Sequence, residues 1–236
     1  MTDPRFEQFA EWMRRPSFGS RTKREIELKL FELLYRDRIA EGTVTVGDVA
    51  EELAVTRARA RTLLLETRTR LSAEPGAPSR EQQLAAFVLQ WPRRGHIERD
   101  GERLRVVVDD PFLRDLLQNF AYARGLAVDL SFSREIVTLT WPTYVALLRG
   151  LAGEKGVDQA LDTFAAEIRA GLRDQRSLER EFRKVEAEKA TKVERFARYA
   201  RFAIRYALPV VEGFPGGRWV GLMQDYVQSE CVCVQR

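Results

Sequence analysis

Apolar side chains recur every three or four residues along most of the chain, which is the spacing of one face of an α-helix. This spacing predicts a short helix over residues 4–14, a longer helix that ends near Gly42, and a further helix over residues 111–124. From residue 158 to residue 208 the helical pattern is almost continuous, with Gly171 as a point where it could divide. The chain is therefore predicted to be mainly α-helical.

Two short β-hairpins are predicted between the helices. Asp100-Gly101 lies between β-favouring runs within residues 95–108, and Asp-Gly in that setting is a strong hairpin signal. A second pair of β-favouring runs falls within residues 126–141. The order helix, hairpin, helix thus occurs twice between residues 80 and 152, which leaves a weak internal repeat open.

Residues 48–70 have the pattern of two helices joined by a tight turn. Val49 is placed to pack the first helix, and Leu63 and Leu64 are placed to bury the second helix against it. Thr56 comes just before the second helix, where a Thr hydroxyl can accept a hydrogen bond from a free backbone N–H. This layout predicts that Thr56 is the N-cap of the second helix.

The side chains expected to face outward from the second helix are polar or basic. They are Thr56, Arg57, Arg61 and Arg68, with Arg59 on their flank. Arg can bond guanine through two hydrogen bonds in the major groove, and a Thr hydroxyl can bond a phosphate. Over about 25 residues the stretch resembles the helix-turn-helix superfamily of bacterial DNA-binding proteins. The resemblance implies that the second helix enters the major groove of double-stranded DNA and that these five residues contact it.

The hairpin at residues 95–108 extends the resemblance, because a hairpin after a helix-turn-helix is typical of a winged helix. Arg99 and Arg103 lie on or beside this hairpin and are the expected contacts of a wing with the DNA backbone or minor groove. A Pro-rich loop and another helix separate the hairpin from the motif. The hairpin is therefore either the wing of an elaborated domain or part of a second module, such as a tandem winged-helix unit.

The composition limits how strongly the arginines indicate DNA binding. The formal charge of +4 fits a polyanionic partner without requiring one. Six of the 39 basic residues are Lys and the other 33 are Arg, a bias that is typical of a codon preference across a genome. Each Arg is therefore weaker evidence for a DNA contact, and a winged helix that binds proteins is the alternative.

The C-terminal half is predicted to serve assembly. Residues 158–208 carry a narrow apolar stripe flanked by charge, and such a helix needs a partner within the chain or across a two-fold axis. A homodimer or a partner protein bound through this stretch is expected, since paired DNA-binding units match the two-fold pseudo-symmetry of DNA. Aromatic and basic residues alternate at 195–206, where the aromatic stripe is expected to be buried and the arginines solvated.

Few residues indicate chemistry, and no enzyme activity, cofactor or metal site is expected. His96 is the single histidine, which excludes a metal site with two His ligands. Cys231 and Cys233 are expected to be buried, and the glycine-rich residues 213–218 lack the Lys-Ser/Thr of a P-loop. No run of about 18 apolar residues predicts a membrane span, and the absence of a signal peptide at the start favours a cytoplasmic protein.

The sequence thus predicts a mainly α protein with small β-hairpins, a winged-helix-like N-terminal region and a long-helix C-terminal region. The expected parts are an N-terminal helix (1–19), a winged helix-turn-helix-like domain (20–110), a helix-hairpin-helix that could be a second such unit (111–152) and a helical assembly region (153–236). The leading function is DNA binding, as a transcriptional regulator or the DNA-contacting subunit of a bacterial multi-component system. The alternative is a non-catalytic adaptor that binds proteins, as in chromosome-organising or defence complexes.

Overall fold

The computed structural model describes residues 4–14, 22–98, 101–131 and 135–207. The chain divides into two compact units, and each is built from two separate stretches of sequence. Residues 1–87 and 108–119 form the first unit, and residues 88–107 and 120–236 form the second. The first unit is thus interrupted in the sequence by residues 88–107.

The described residues are mainly helical, as predicted. In chain order the α-helices are α1 Pro4–Arg14, α2 Lys23–Ala40, α3 Val46–Glu52, α4 Arg57–Ala73, α5 Arg80–Leu89, α6 Trp91–Arg94, α7 Pro111–Ala123, α8 Trp141–Gly171, α9 Arg176–Ala187 and α10 Lys192–Phe202, and a π-helical turn follows at Ala203–Ala207. The strands are β1 His96–Ile97, β2 Arg103–Val107, β3 Asp129–Ser131 and β4 Ile136–Thr140.

Side-chain caps fix where the helices of the first unit begin. Thr22 and Thr45 each accept from the backbone N–H three residues ahead, while the acidic side chain at that position accepts from the cap's own N–H. These capping boxes satisfy N–H groups that a helix start otherwise leaves unpaired. Gly42 follows α2 at a φ of +67°, and an added Cβ would lie 2.5 Å from the backbone N of Phe87. The predicted end of α2 near Gly42 is therefore confirmed, with a conformation and a space that suit only glycine.

Helices α2, α3 and α4 surround the core of the first unit. Its members are aliphatic and aromatic side chains, each no more than 4% exposed: Leu28, Phe31, Tyr35, Ile39, Val44, Val46, Val49, Ala60, Leu63, Leu64 and Leu71. Burial of this apolar surface is the main driving force for the three-helix arrangement. Val49, Leu63 and Leu64, which the sequence assigns to the core, are among them.

Both predicted hairpins are present, but they belong to one sheet in the second unit. The strand order is β1-β2-β4-β3 and all neighbours are antiparallel. Leu104 of β2 faces Leu139 of β4, so the first hairpin pairs with the second. The winged-helix detail is not confirmed, because the strands expected to form a wing group with the second unit rather than with the helix-turn-helix.

The long C-terminal helix predicted over residues 158–208 is divided. Helix α8 contains a break at Gly153, and α9, α10 and the π-helical turn follow it as separate segments. Around α8 and α10 lies an aromatic cluster in which the ring centres of Trp141 and Phe196 are 5.6 Å apart and those of Tyr144 and Phe196 are 5.5 Å apart. The apolar stripe is therefore buried within the chain, which removes the argument that it needs a second copy.

Candidate binding face of the helix-turn-helix

The predicted helix, turn and second helix are present as α3, a four-residue turn and α4. Ala54 in the turn has a φ of +51°, and the N–H of Val55 donates to the carbonyl of Ala50 at 3.1 Å. Thr56 is the N-cap of α4, since its hydroxyl accepts from the N–H of Arg59 at 3.2 Å. The sequence therefore predicts the backbone of the motif and its cap correctly.

Arg57, the first residue of α4, is exposed and tied to a buried carboxylate. Its guanidinium lies 3.2 Å from Asp109 Oδ2, and 61% of its side chain is exposed. Asp109 also accepts from the N–H groups of Val46 and Gly47 at the start of α3. Burial raises the pKa of Asp109, and the two N–H groups and Arg57 oppose that rise. Through Asp109, Arg57 therefore links the start of α4 to the start of α3.

Arg59 pairs with a carboxylate of the neighbouring helix. Its guanidinium bonds both oxygens of Glu27 on α2. A second ion pair, between Arg24 of α2 and Glu66 of α4, links the same two helices. The positive charge of Arg59 is therefore balanced locally.

The prediction that Arg68 faces outward is wrong. Its side chain is fully buried, with Nε 2.5 Å from Asp110 Oδ2. Asp110 also accepts from the N–H groups of Phe112 and Leu113 at the start of α7. The physical reason is helical phase, because position 68 lies four residues after Leu64 and three before Leu71, both of which are buried.

The remaining predicted residues do not belong to the same unit. Arg61 is partly buried and has an interaction of its own. Arg103 lies on β2 of the second unit, where its Nε is 3.9 Å from a Glu98 oxygen. Arg99 lies outside the described residues, as do Cys231, Cys233 and residues 213–218.

The outward face of α4 is instead uncharged, and the sequence interpretation missed it. We call it the α4 ridge; its members are Ala58, Thr62, Leu65, Thr69 and Ala73, all exposed except the partly buried Thr62. The Thr62 and Thr69 hydroxyls donate to the carbonyls of Ala58 and Leu65, at 3.0 and 2.8 Å. A signal was available, since these positions lie opposite Leu63, Leu64 and Leu71 on a helical projection.

Two large apolar side chains of this motif are exposed. Leu53 at the end of α3 is 36% exposed and Leu65 is 39% exposed. Among the described residues only Tyr122, in the second unit, is a further exposed large hydrophobic side chain. Two of the three exposed large hydrophobic side chains among the described residues therefore belong to the helix-turn-helix.

The net positive charge of the chain is not carried by the unit that holds the helix-turn-helix. Residues 1–87 and 108–119 contain 16 Lys and Arg against 17 Asp and Glu, a net charge of −1. Residues 88–107 and 120–236 contain 23 against 18, a net charge of +5. A DNA-binding domain is commonly basic on the face that meets the phosphates, so this distribution weakens the DNA hypothesis.

A concave region lies in the second unit, between α9 and α10. It has a volume of about 680 Å³, and Val185, Phe202 and Tyr206 form its apolar part. Glu188 and Arg198, which also line it, pair with each other. Glu181, Arg201 and Arg205 line it as well, so the lining carries three Arg against two Glu.

Within the described residues no cluster of three or more His, Cys, Asp or Glu side chains is arranged to hold a metal ion. No helix in the same part of the chain is both long and apolar enough to cross a bilayer. The chain matches no family model, and no curated protein is significantly similar to it.

Proposed function

We propose that this chain is a non-catalytic interaction subunit whose helix-turn-helix unit binds another protein through the α4 ridge. The observation that carries the proposal is the chemistry of that ridge. It presents methyl groups and the side chain of Leu65, and the hydroxyl hydrogens of Thr62 and Thr69 are already donated within the helix. Such a face can bury apolar area against a protein surface.

The ridge offers little to a nucleic acid. A helix in the major groove discriminates bases mainly through hydrogen bonds from charged or amide side chains, and none of the five ridge residues carries such a group. The neighbouring Arg57 and Arg59 are engaged with Asp109 and Glu27. The net charge of −1 on the unit adds no general attraction to phosphates.

Site-specific photo-crosslinking in cells tests the proposal. Thr62 is replaced by the photoreactive amino acid p-benzoyl-phenylalanine, and Glu81, exposed on α5 of the same unit, is replaced in the control. We expect position 62 to give a discrete protein crosslink that position 81 does not give. Crosslinks to nucleic acid alone, or identical products at both positions, would overturn the proposal.

DNA binding is the second candidate, and the exposure of Arg57 favours it. This side chain stands at the start of α4, where DNA-binding helices contact base edges. Anisotropy titration with duplex DNA at low and high salt is the measurement. If DNA is the ligand, Arg57→Ala should weaken binding by about 1–3 kcal/mol. Arg70→Ala, exposed near the other end of α4, is the matched control.

A further inference from the structure

The groove between α9 and α10 follows the last described turns of the chain. Residues from Arg198 to Tyr206 line it on one side, and Val185 of α9 lies on the other. At a rise of about 1.5 Å per residue, the first of these sides is about 12 Å long. The described residues end at Ala207, directly after Tyr206. The next residues of the chain therefore start from one end of the groove.

Two charged side chains of the groove have no ion pair within the described residues. They are Glu181 and Arg205, whose guanidinium lies 5.8 Å from the centre of the Tyr206 ring. The other three charged side chains that line the groove are already in ion pairs: Glu188, Arg198 and Arg201. The groove thus offers an occupant an apolar floor, one cation and one carboxylate.

Residues 208–218, which follow directly, have side chains that complement this lining. Val210 and Phe214 are among their apolar residues, and Glu212 and Arg218 are their two charged residues. The apolar side chains suit the floor, because burial of apolar surface from both partners is favourable. The single acidic and single basic side chain answer the two charges of the groove that lack an ion pair.

The length of this stretch also suits the groove. Pro209 has no backbone N–H and does not continue a helix, so the sequence predicts a change of direction just after Ala207. Five extended residues, 210–214, cover about 16 Å, which is enough to run back along a groove of about 12 Å. On such a path Glu212 passes the last helical turn, where Arg205 lies.

We propose that the groove between α9 and α10 binds residues 208–218 of the same chain, with Glu212 beside Arg205 and Phe214 on the apolar floor. A segment joined to the protein by a short link reaches its site at an effective concentration of about millimolar. A separate protein with the same side chains would have to bind much more tightly to take its place. The chain's own segment is therefore the occupant that the position of the groove favours.

Photo-crosslinking of the purified full chain tests the docking. Val185 is replaced by p-benzoyl-phenylalanine, and Arg183, which is exposed and lies about 200° around α9, is replaced in the control. We expect position 185 to crosslink within one molecule to a residue between 208 and 218, identified by tandem mass spectrometry. Position 183 should give no such product. The absence of this product at position 185, or an equal yield at both positions, would overturn the inference.

An exchange of charges tests the pairing of Glu212 with Arg205. Arg205→Glu should lower the crosslink yield at position 185 by about threefold, because it replaces an ion pair by two carboxylates. Adding Glu212→Arg should restore the yield, whereas adding Glu230→Arg, which gives the same net charge, should not. Thermal melts confirm that each variant is folded. A yield that Arg205→Glu leaves unchanged, or that both second substitutions restore equally, would overturn the inference.

Discussion

Two arginine-rich helices in this protein, α4 in the first unit and α10 in the second, differ in which arginine and apolar side chains they bury. Helix α10 buries Phe196 and Tyr199 and leaves Arg201 exposed, in an ion pair with Glu102. Helix α4 buries Arg68 and exposes Leu65. An arginine therefore need not face the solvent. A buried carboxylate can compensate its charge where the helical phase places the side chain in the interior.

Removing Arg68 should have the largest effect on stability. Arg68→Ala leaves Asp110 buried without its counter-charge, so the free energy of unfolding should fall by about 3–5 kcal/mol. Urea denaturation of the variant is the measurement. Arg68→Met combined with Asp110→Asn removes both charges and should recover much of the loss. A single variant within about 1 kcal/mol of the wild type would show that the pair does not position α4.

Two adjacent leucines check the phase of α4. Leu64 is fully buried, so Leu64→Ala should lower the free energy of unfolding by about 2–5 kcal/mol through the cavity it leaves. Leu65→Ala, on the exposed ridge, should change it by about 0.5 kcal/mol or less. Thermal and urea melts of both variants decide the matter. Equal losses would mean that the ridge is packed in solution.

Asp109 should contribute an intermediate amount. Asp109→Ala removes the acceptor of the Val46 and Gly47 N–H groups and the partner of Arg57. Leaving these groups unpaired should lower the free energy of unfolding by about 1–3 kcal/mol. Asp109→Asn keeps one carbonyl acceptor and should lose less. Denaturation of the two variants side by side gives the measurement, and an equal loss would assign the effect to the ion pair.

The smallest effect is expected for the outward arginine of α10. Arg201 and Glu102 are both about half exposed, and such ion pairs contribute little in water. Arg201→Ala should therefore change the free energy of unfolding by about 0.5 kcal/mol or less. A loss comparable with that of Arg68→Ala would contradict the contrast between the two helices.

Local signals in the sequence predicted local structure well. The turn after α3, the Thr56 cap, the end of α2 at Gly42 and both hairpins depend on residues close together in the chain. The division between α9 and α10 also had such a signal, because Thr191 and Glu194 form a capping box. Apolar residues continue at helical spacing across that region, so the spacing alone predicts one helix rather than two.

Long-range structure was not predictable in the same way. The pairing of β2 with β4 joins strands separated by helix α7, and nothing in either strand specifies the other. The outward face of α4 depends on Asp110, 42 residues after Arg68, which supplies the buried counter-charge. Without that knowledge an arginine in a helix-turn-helix is assigned to DNA, and the uncharged positions beside it receive no role.

The interruption of the first unit by residues 88–107 has a consequence for synthesis on the ribosome. Helix α4 is translated before Asp109 and Asp110, so Arg68 has no buried carboxylate to meet while residues 88–107 are being added. At about 5–20 residues per second this interval lasts roughly 1–4 s. Until Asp110 has been added, the Arg68 guanidinium has no buried carboxylate to pair with, and the first unit cannot complete its fold.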